Sequence, residues 1–240
     1  MIHESYTACK KYRGFIFNAD NTIFDYDRAE KEALYETFLT LNIFIPFEKI
    51  HLNFKRINNY LWGNILKHKL SMDTFKVELF RLLLAKLEIE CNPYELSDFY
   101  LNCLSHKAYL LPNTVQVLER LSKKAMLCLI TNGFEYVQKS RIARANIEVF
   151  FNEIFISEVL GIIKPNPAIF KIASEKLFIQ PYDILCVGNN PSTDIRGGFY
   201  AGMDTCWFSP ELKTYPLKEP EPTIVISNFT DLISFTTELS

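Results

Sequence analysis

The stretch GFIFNADNTIFDYD, residues 14–27, decides how the rest of the chain is read. Gly14 to Phe17 form a short apolar run that predicts a buried strand. Asn18, Asp20 and Thr22 follow at alternating positions just past its end. In an extended segment, side chains at i and i+2 lie on one side. Asn18 and Asp20 are therefore expected to point into the same space. That space is the carboxyl end of a strand, where open α/β sheets bind ligands. One such strand carries little information alone; three later stretches give it meaning.

Residues 28–108 contain a single glycine, Gly63. This suits packed helices, and apolar residues recur there at helical spacing. The spacing predicts helices over 28–41 and 47–69. A third is capped by Ser71 or Asp73, and a fourth covers 93–107 with Pro93 at its start. The segment is thus a helical insert, about the size of a small domain. From Pro112 the texture changes. Helices are expected at 112–123, 134–145 and 166–178, from about Thr193, and at about 229–238. Between them lie strand-like runs at 125–131, 152–157, 183–188, 205–209 and 223–227. The proline-rich 210–222 cannot be a central strand. Strand–helix alternation predicts a three-layer α/β sandwich around a mostly parallel sheet. The expected division is 1–27 with 109–240 as the α/β core and 28–108 as the insert, with residues 1–12 a loosely held arm.

With 240 residues, 48% of them hydrophobic, the chain can bury a sizeable core. Its 26 basic and 28 acidic side chains nearly balance, which argues against a nucleic-acid footprint. No uncharged apolar run approaches a membrane span, and MIHESYTACKKYR has no apolar core of a signal peptide. The six cysteines are scattered without a C-x-x-C pair, which predicts free thiols in a reducing compartment. The expectation is a cytoplasmic protein. The four histidines show no zinc-ligand spacing.

Four polar clusters follow four predicted strands. They are Asn18-Ala19-Asp20-Asn21-Thr22, Thr131-Asn132-Gly133, Lys164-Pro165 and Gly188-Asn189-Asn190-Pro191-Ser192-Thr193-Asp194. In order and spacing they resemble the haloacid dehalogenase (HAD) superfamily of phosphohydrolases. Its motifs read D-x-D-x-T, then Thr or Ser, then Lys, then G-D-x-x-x-x-D. The resemblance covers nearly the whole chain and implies a Rossmann-like core with a helical cap. Thr131 to Phe134, with Cys206-Trp207, looks most like the pyrimidine 5′-nucleotidase branch.

The resemblance also implies roles. Position 18 is that of the nucleophile, and Asp20 that of the general acid and base. Thr131, Asn132 and Lys164 would bind the phosphoryl group. Asp20, Asn189 and Asp194 would hold the family's Mg²⁺. Two positions depart from the pattern, because Asn18 and Asn189 stand where the family has acids. A carboxamide is a poor nucleophile that also donates hydrogen bonds. The expectation is therefore a phosphatase fold with impaired catalysis and a weak or vacant Mg²⁺ site, binding phosphate, a phosphorylated small molecule or a protein partner. The alternative is an active Mg²⁺-dependent nucleoside 5′-monophosphatase with a recovered or substitute nucleophile. For the acid missing at position 189, neither Asn190 nor Asp25 is an obvious substitute by spacing. The aromatic residues of the insert are read as its own core.

Overall fold

The computed structural model describes residues 10–236. Cys9 and most of the expected N-terminal arm lie outside that range. In chain order the strands and helices are β1 (Gly14–Phe17), α1 (Tyr26–Thr40), α2 (Phe47–Ile65), α3 (Met72–Leu87), α4 (Pro93–Ser105) and α5 (Thr114–Ser122). They continue as β2 (Met126–Thr131), α6 (Glu135–Arg144), β3 (Glu153–Ile156), α7 (Ser157–Leu160), α8 (Pro167–Leu177), β4 (Ile184–Gly188), α9 (Arg196–Tyr200), β5 (Asp204–Phe208) and β6 (Ile224–Ile226). A π-helical turn, Pro191–Ile195, precedes α9. The closing segment expected as an α-helix is a 3₁₀ helix, Phe229–Phe235.

The chain divides into two compact units. The first comprises residues up to Asp25, Leu110–Asn132 and Asn146 onward. Its six strands form one parallel sheet in the order β3-β2-β1-β4-β5-β6. The three strands read from apolar runs are neighbours at its centre, with Phe15 in register with both Leu127 and Leu185. Strands covered on both faces must be apolar throughout. Every residue of β1 and β4 is accordingly buried. The sheet order reverses about β1, and this is the switch point at which such sheets bind ligands. On one face Ile169, Phe170, Ala173 and Leu177 of α8 pack with Ile16, Cys128 and Cys186. Burial pushes the Cys128 and Cys186 thiols up, keeping them protonated. Asn166 caps α8 through a bond from the Ala168 N–H at 3.0 Å, and Pro167 occupies its first turn.

The second unit comprises Tyr26–Tyr109 and Gly133–Ala145. All of its elements are helical among the described residues. The helix after β2, read as part of the α/β alternation, groups here. Caps formed as their residue types dictate. Ser71 Oγ accepts the Thr74 N–H at 3.1 Å, and Asn92 Oδ1 accepts the Tyr94 N–H at 3.0 Å before Pro93. The interior is aromatic, with Phe54, Phe80 and Tyr100 rings 5.2–6.0 Å apart. Arg141 of α6 is completely buried and donates from Nε to the Lys107 carbonyl at 3.0 Å. No described helix is long and apolar enough to cross a membrane.

Candidate functional site at the carboxyl ends of the central strands

The ends of β1, β2 and β4 bring most of the singled-out residues together in the first unit. Asn18 is the first residue past β1, and its N–H extends the ladder to the Val187 carbonyl at 2.9 Å. Asn189 is the first residue past β4. Its carbonyl accepts Trp207 Nε1–H at 3.0 Å. The backbones under both carboxamides are thereby fixed.

Lys164 is the electrostatic centre. Its side chain is 3% exposed and that of Asp194 is 2% exposed. The ammonium donates to Asp194 Oδ1 at 2.8 Å, to Asn18 Oδ1 at 2.9 Å and to the Ile130 carbonyl at 2.9 Å. An ammonium has three hydrogens and no acceptor, so all three are engaged. Asp194 Oδ2 accepts the Asn190 N–H at 3.1 Å. The close approach of β4 to this carboxylate requires Gly188, since a Cβ there would lie 2.4 Å from Asp194 Oδ2.

The orientation of Asn18 follows from Lys164. The atom facing a pure donor must be the amide oxygen, so the NH₂ group faces the other way. There it meets three oxygens: the Asp20 carbonyl at 2.7 Å, Asn189 Oδ1 at 2.9 Å and Thr22 Oγ1 at 3.2 Å. Thr22 also reaches Asn189 Oδ1 at 3.3 Å. Asp20, partly exposed, therefore joins this group through its backbone.

Thr131 ends β2 fully buried, and its hydroxyl has no hydrogen-bond partner among the described residues. Asn132 differs from expectation in where its side chain goes. Its Oδ1 accepts the Lys164 N–H and its Nδ2 donates to the Lys164 carbonyl, both at 3.0 Å. Both amide ends thus hold the Lys164 backbone, as a ladder pair would. Asn190 Oδ1 accepts from the Ser192 N–H and hydroxyl at 3.0 and 2.9 Å, capping the π turn. Sequence reading missed Trp207 and the Ile130 carbonyl as members of the site. Trp207 was legible only as part of the family resemblance, and a backbone carbonyl leaves no trace in residue type. Among the described residues no group of three or more His, Cys, Asp or Glu side chains is placed to hold a metal ion.

Comparison with known proteins agrees with this architecture. Residues 12–202 match the haloacid dehalogenase-like hydrolase family. The chain is 29% identical to the HAD-hydrolase YfnB of Bacillus subtilis, over 94% of this chain and 99% of that one. It is 28% identical to the pyrimidine 5′-nucleotidase YjjG of Escherichia coli, over 92% and 96% of the two chains. With the pyrimidine 5′-nucleotidase PynA of Streptococcus pneumoniae it shares 26% identity over 92% and 94%. A crystal structure of YfnB bound to magnesium superposes with a TM-score of 0.85, covering 93% of this chain and 97% of that one.

Proposed function

The chain belongs to the haloacid dehalogenase-like hydrolases, and from that premise we propose that it holds the phosphoryl group of a small phosphomonoester without hydrolysing it at the rate of a working phosphatase. The observation that carries this reading is the Asn18 carboxamide on the nucleophile position, with Oδ1 on Lys164 and NH₂ turned to three oxygens. An aspartyl-phosphate needs a carboxylate oxygen as attacking group, and an amide oxygen is a far weaker one. In a serine protease, loss of the nucleophile costs roughly 10⁶ in kcat.

Binding is supported by what is retained. The buried Thr131 hydroxyl lacks a partner that an anionic oxygen would supply. Lys164 provides a fixed positive charge beside it in the motif order, and Asn132 holds the Lys164 backbone in place. Relative to the family pattern two negative charges are gone, which lowers the repulsion met by an incoming phosphate. Asp20 keeps the position from which a carboxyl group would protonate a leaving oxygen.

The family generally uses Mg²⁺, a hard cation held by oxygen ligands. The residues present do not fit it well. An NH₂ group points at the Asp20, Thr22 and Asn189 oxygens, and Asp194 Oδ1 is engaged by the Lys164 ammonium. A second reading has its own support: YjjG and PynA are pyrimidine 5′-nucleotidases and match more than nine-tenths of this chain. On that reading the protein is an active nucleoside 5′-monophosphatase.

Phosphate release from nucleoside 5′-monophosphates and an aryl phosphate, with Mg²⁺, separates the two. The protein should fall far below ordinary turnover of order 1–10³ s⁻¹ while binding the same phosphomonoesters in calorimetry. The Asn18→Asp/Asn189→Asp double variant should release more phosphate than the two single variants together, because nucleophile and metal act as one unit. Ordinary turnover by the unmodified chain overturns the proposal in favour of the second reading. Absence of phosphomonoester binding removes the binding role.

A further inference from the structure

We infer that the Asn18 NH₂ group does for three oxygens of this site what a bound cation would do, so that the folded core is complete without a divalent metal. The argument starts from the Lys164 ammonium, which fixes which end of Asn18 is oxygen. The opposite end then lies among the Asp20 carbonyl, Asn189 Oδ1 and Thr22 Oγ1, at 2.7, 2.9 and 3.2 Å. The carbonyl and the amide Oδ1 can only accept hydrogen bonds, and the Thr22 hydroxyl donates toward Asn189 Oδ1 at 3.3 Å. The two hydrogens of one neutral carboxamide thus serve a cluster of lone pairs. The Asp20 carbonyl is backbone and Thr22 is fully buried, so both stay in place, whereas Trp207 holds only the Asn189 backbone and leaves its amide able to turn.

Aspartates at both 18 and 189 would put two carboxylates beside the Asp20 carbonyl with the Thr22 hydroxyl as donor, an arrangement that is repulsive at low local dielectric unless a cation enters. With aspartate at 18 alone, the Asn189 amide can turn its NH₂ to the new oxygen. The pair of substitutions therefore exchanges a self-satisfied group for one that requires a metal. Asn189 belongs to the same device, since its neutral Oδ1 accepts where a carboxylate would add charge. The inference rests on the positional part of the proposed function, that residues 18 and 189 stand on the nucleophile and metal positions. It can fail independently, because its test contains no substrate and reads no turnover.

The test is thermal unfolding of the protein and of Asn18→Asp, Asn18→Ala and Asn18→Asp/Asn189→Asp, in chelator, in millimolar Mg²⁺, and in KCl of equal ionic strength. The unmodified midpoint should be the same in all three solutions. Asn18→Asp/Asn189→Asp should melt about 3–6 °C lower in chelator and recover in Mg²⁺ but not in KCl. Asn18→Asp alone should show a smaller drop and a smaller recovery. Asn18→Ala, which removes the NH₂ without adding an oxygen, should melt lower and stay lower in Mg²⁺. Should Asn18→Asp/Asn189→Asp fail to fold in chelator, refolding on addition of Mg²⁺ is the same result in stronger form. Mn²⁺ bound to the unmodified chain, followed by the loss of its free paramagnetic signal, gives a reading independent of any variant. Stoichiometric Mn²⁺ uptake by the unmodified chain overturns the inference. So does a midpoint of Asn18→Asp/Asn189→Asp equal to that of the unmodified chain in chelator, or one that Mg²⁺ leaves depressed.

Discussion

The first unit and the second each carry lysine–carboxylate pairs of nearly the same length, and the two sets are energetically different objects. Lys164 and Asp194 meet at 2.8 Å with 3% and 2% of their side chains exposed. On the second unit, Lys107 meets Glu36 at 2.7 Å with 20% and 48% exposed. Lys55 meets Asp27 at 3.1 Å, and Arg28 meets Glu32 at 2.9 Å, on the walls of a cavity of about 780 Å³ between α1 and α2. In water such pairs gain little, because solvent and salt screen them and two long side chains lose freedom. In the interior the attraction is large, and so is the desolvation it must offset. Contact distance alone therefore says nothing about which pair matters. Lys164 and Asp194 each have the other as a fixed counterion.

The sharpest way to break this contrast is Lys164→Met. It leaves the buried Asp194 carboxylate without its counterion and Asn18 Oδ1 without its donor. Urea denaturation should show a loss of about 3–5 kcal/mol, a large part of the whole stability of an ordinary domain. A loss no greater than that of a surface pair would erase the distinction. Asn132→Ala comes next. It removes both hydrogen bonds to the Lys164 backbone, and the midpoint should fall by an amount equivalent to about 1–2 kcal/mol. The accompanying fall in phosphomonoester affinity should be absent from the Lys164→Met background, because Asn132 acts through Lys164. The smallest effect is expected from Lys107→Met, which breaks the pair with Glu36. It should change stability by about 0–1 kcal/mol, and less still at high salt as the Debye length shrinks. A change as large as that of Lys164→Met would show that the Lys107–Glu36 pair behaves as a buried one.

The central sheet was legible because its physics is local in the sequence. Gly14–Phe17, residues 127–130 and Ile184–Gly188 are apolar because both faces are covered, and the polar clusters at the strand ends mark the switch point. The insert was legible for the same reason, since helical spacing and capping residues announce themselves. What escaped depends on contacts between distant residues. Gly133–Ala145 follows a core strand, yet groups with the second unit. Its Arg141 is buried, although arginine in an amphipathic helix is ordinarily read as solvent-facing. Asn132 was read as a phosphate ligand from its place beside Thr131; its side chain closes on a backbone 32 residues further on. Asn18 was read as standing on the nucleophile position, but its place as a donor to three oxygens was not legible, because that role requires knowing which way Lys164 turns its amide.

The place of β1 at the centre of the sheet has a consequence for how the protein is made. Phe17 pairs with Leu129 on one side and with Val187 on the other, about 170 residues later in the chain. At ribosomal speeds of roughly 5–20 residues per second, the most buried strand emerges about 10–30 s before its second neighbour exists. Loop closure over such a span is entropically costly and slow. For that interval GFIF is an apolar strand with at least one unpaired edge, the kind of segment that associates with other chains or with a chaperone. The strand that organises the finished sheet is thus also its main hazard during synthesis.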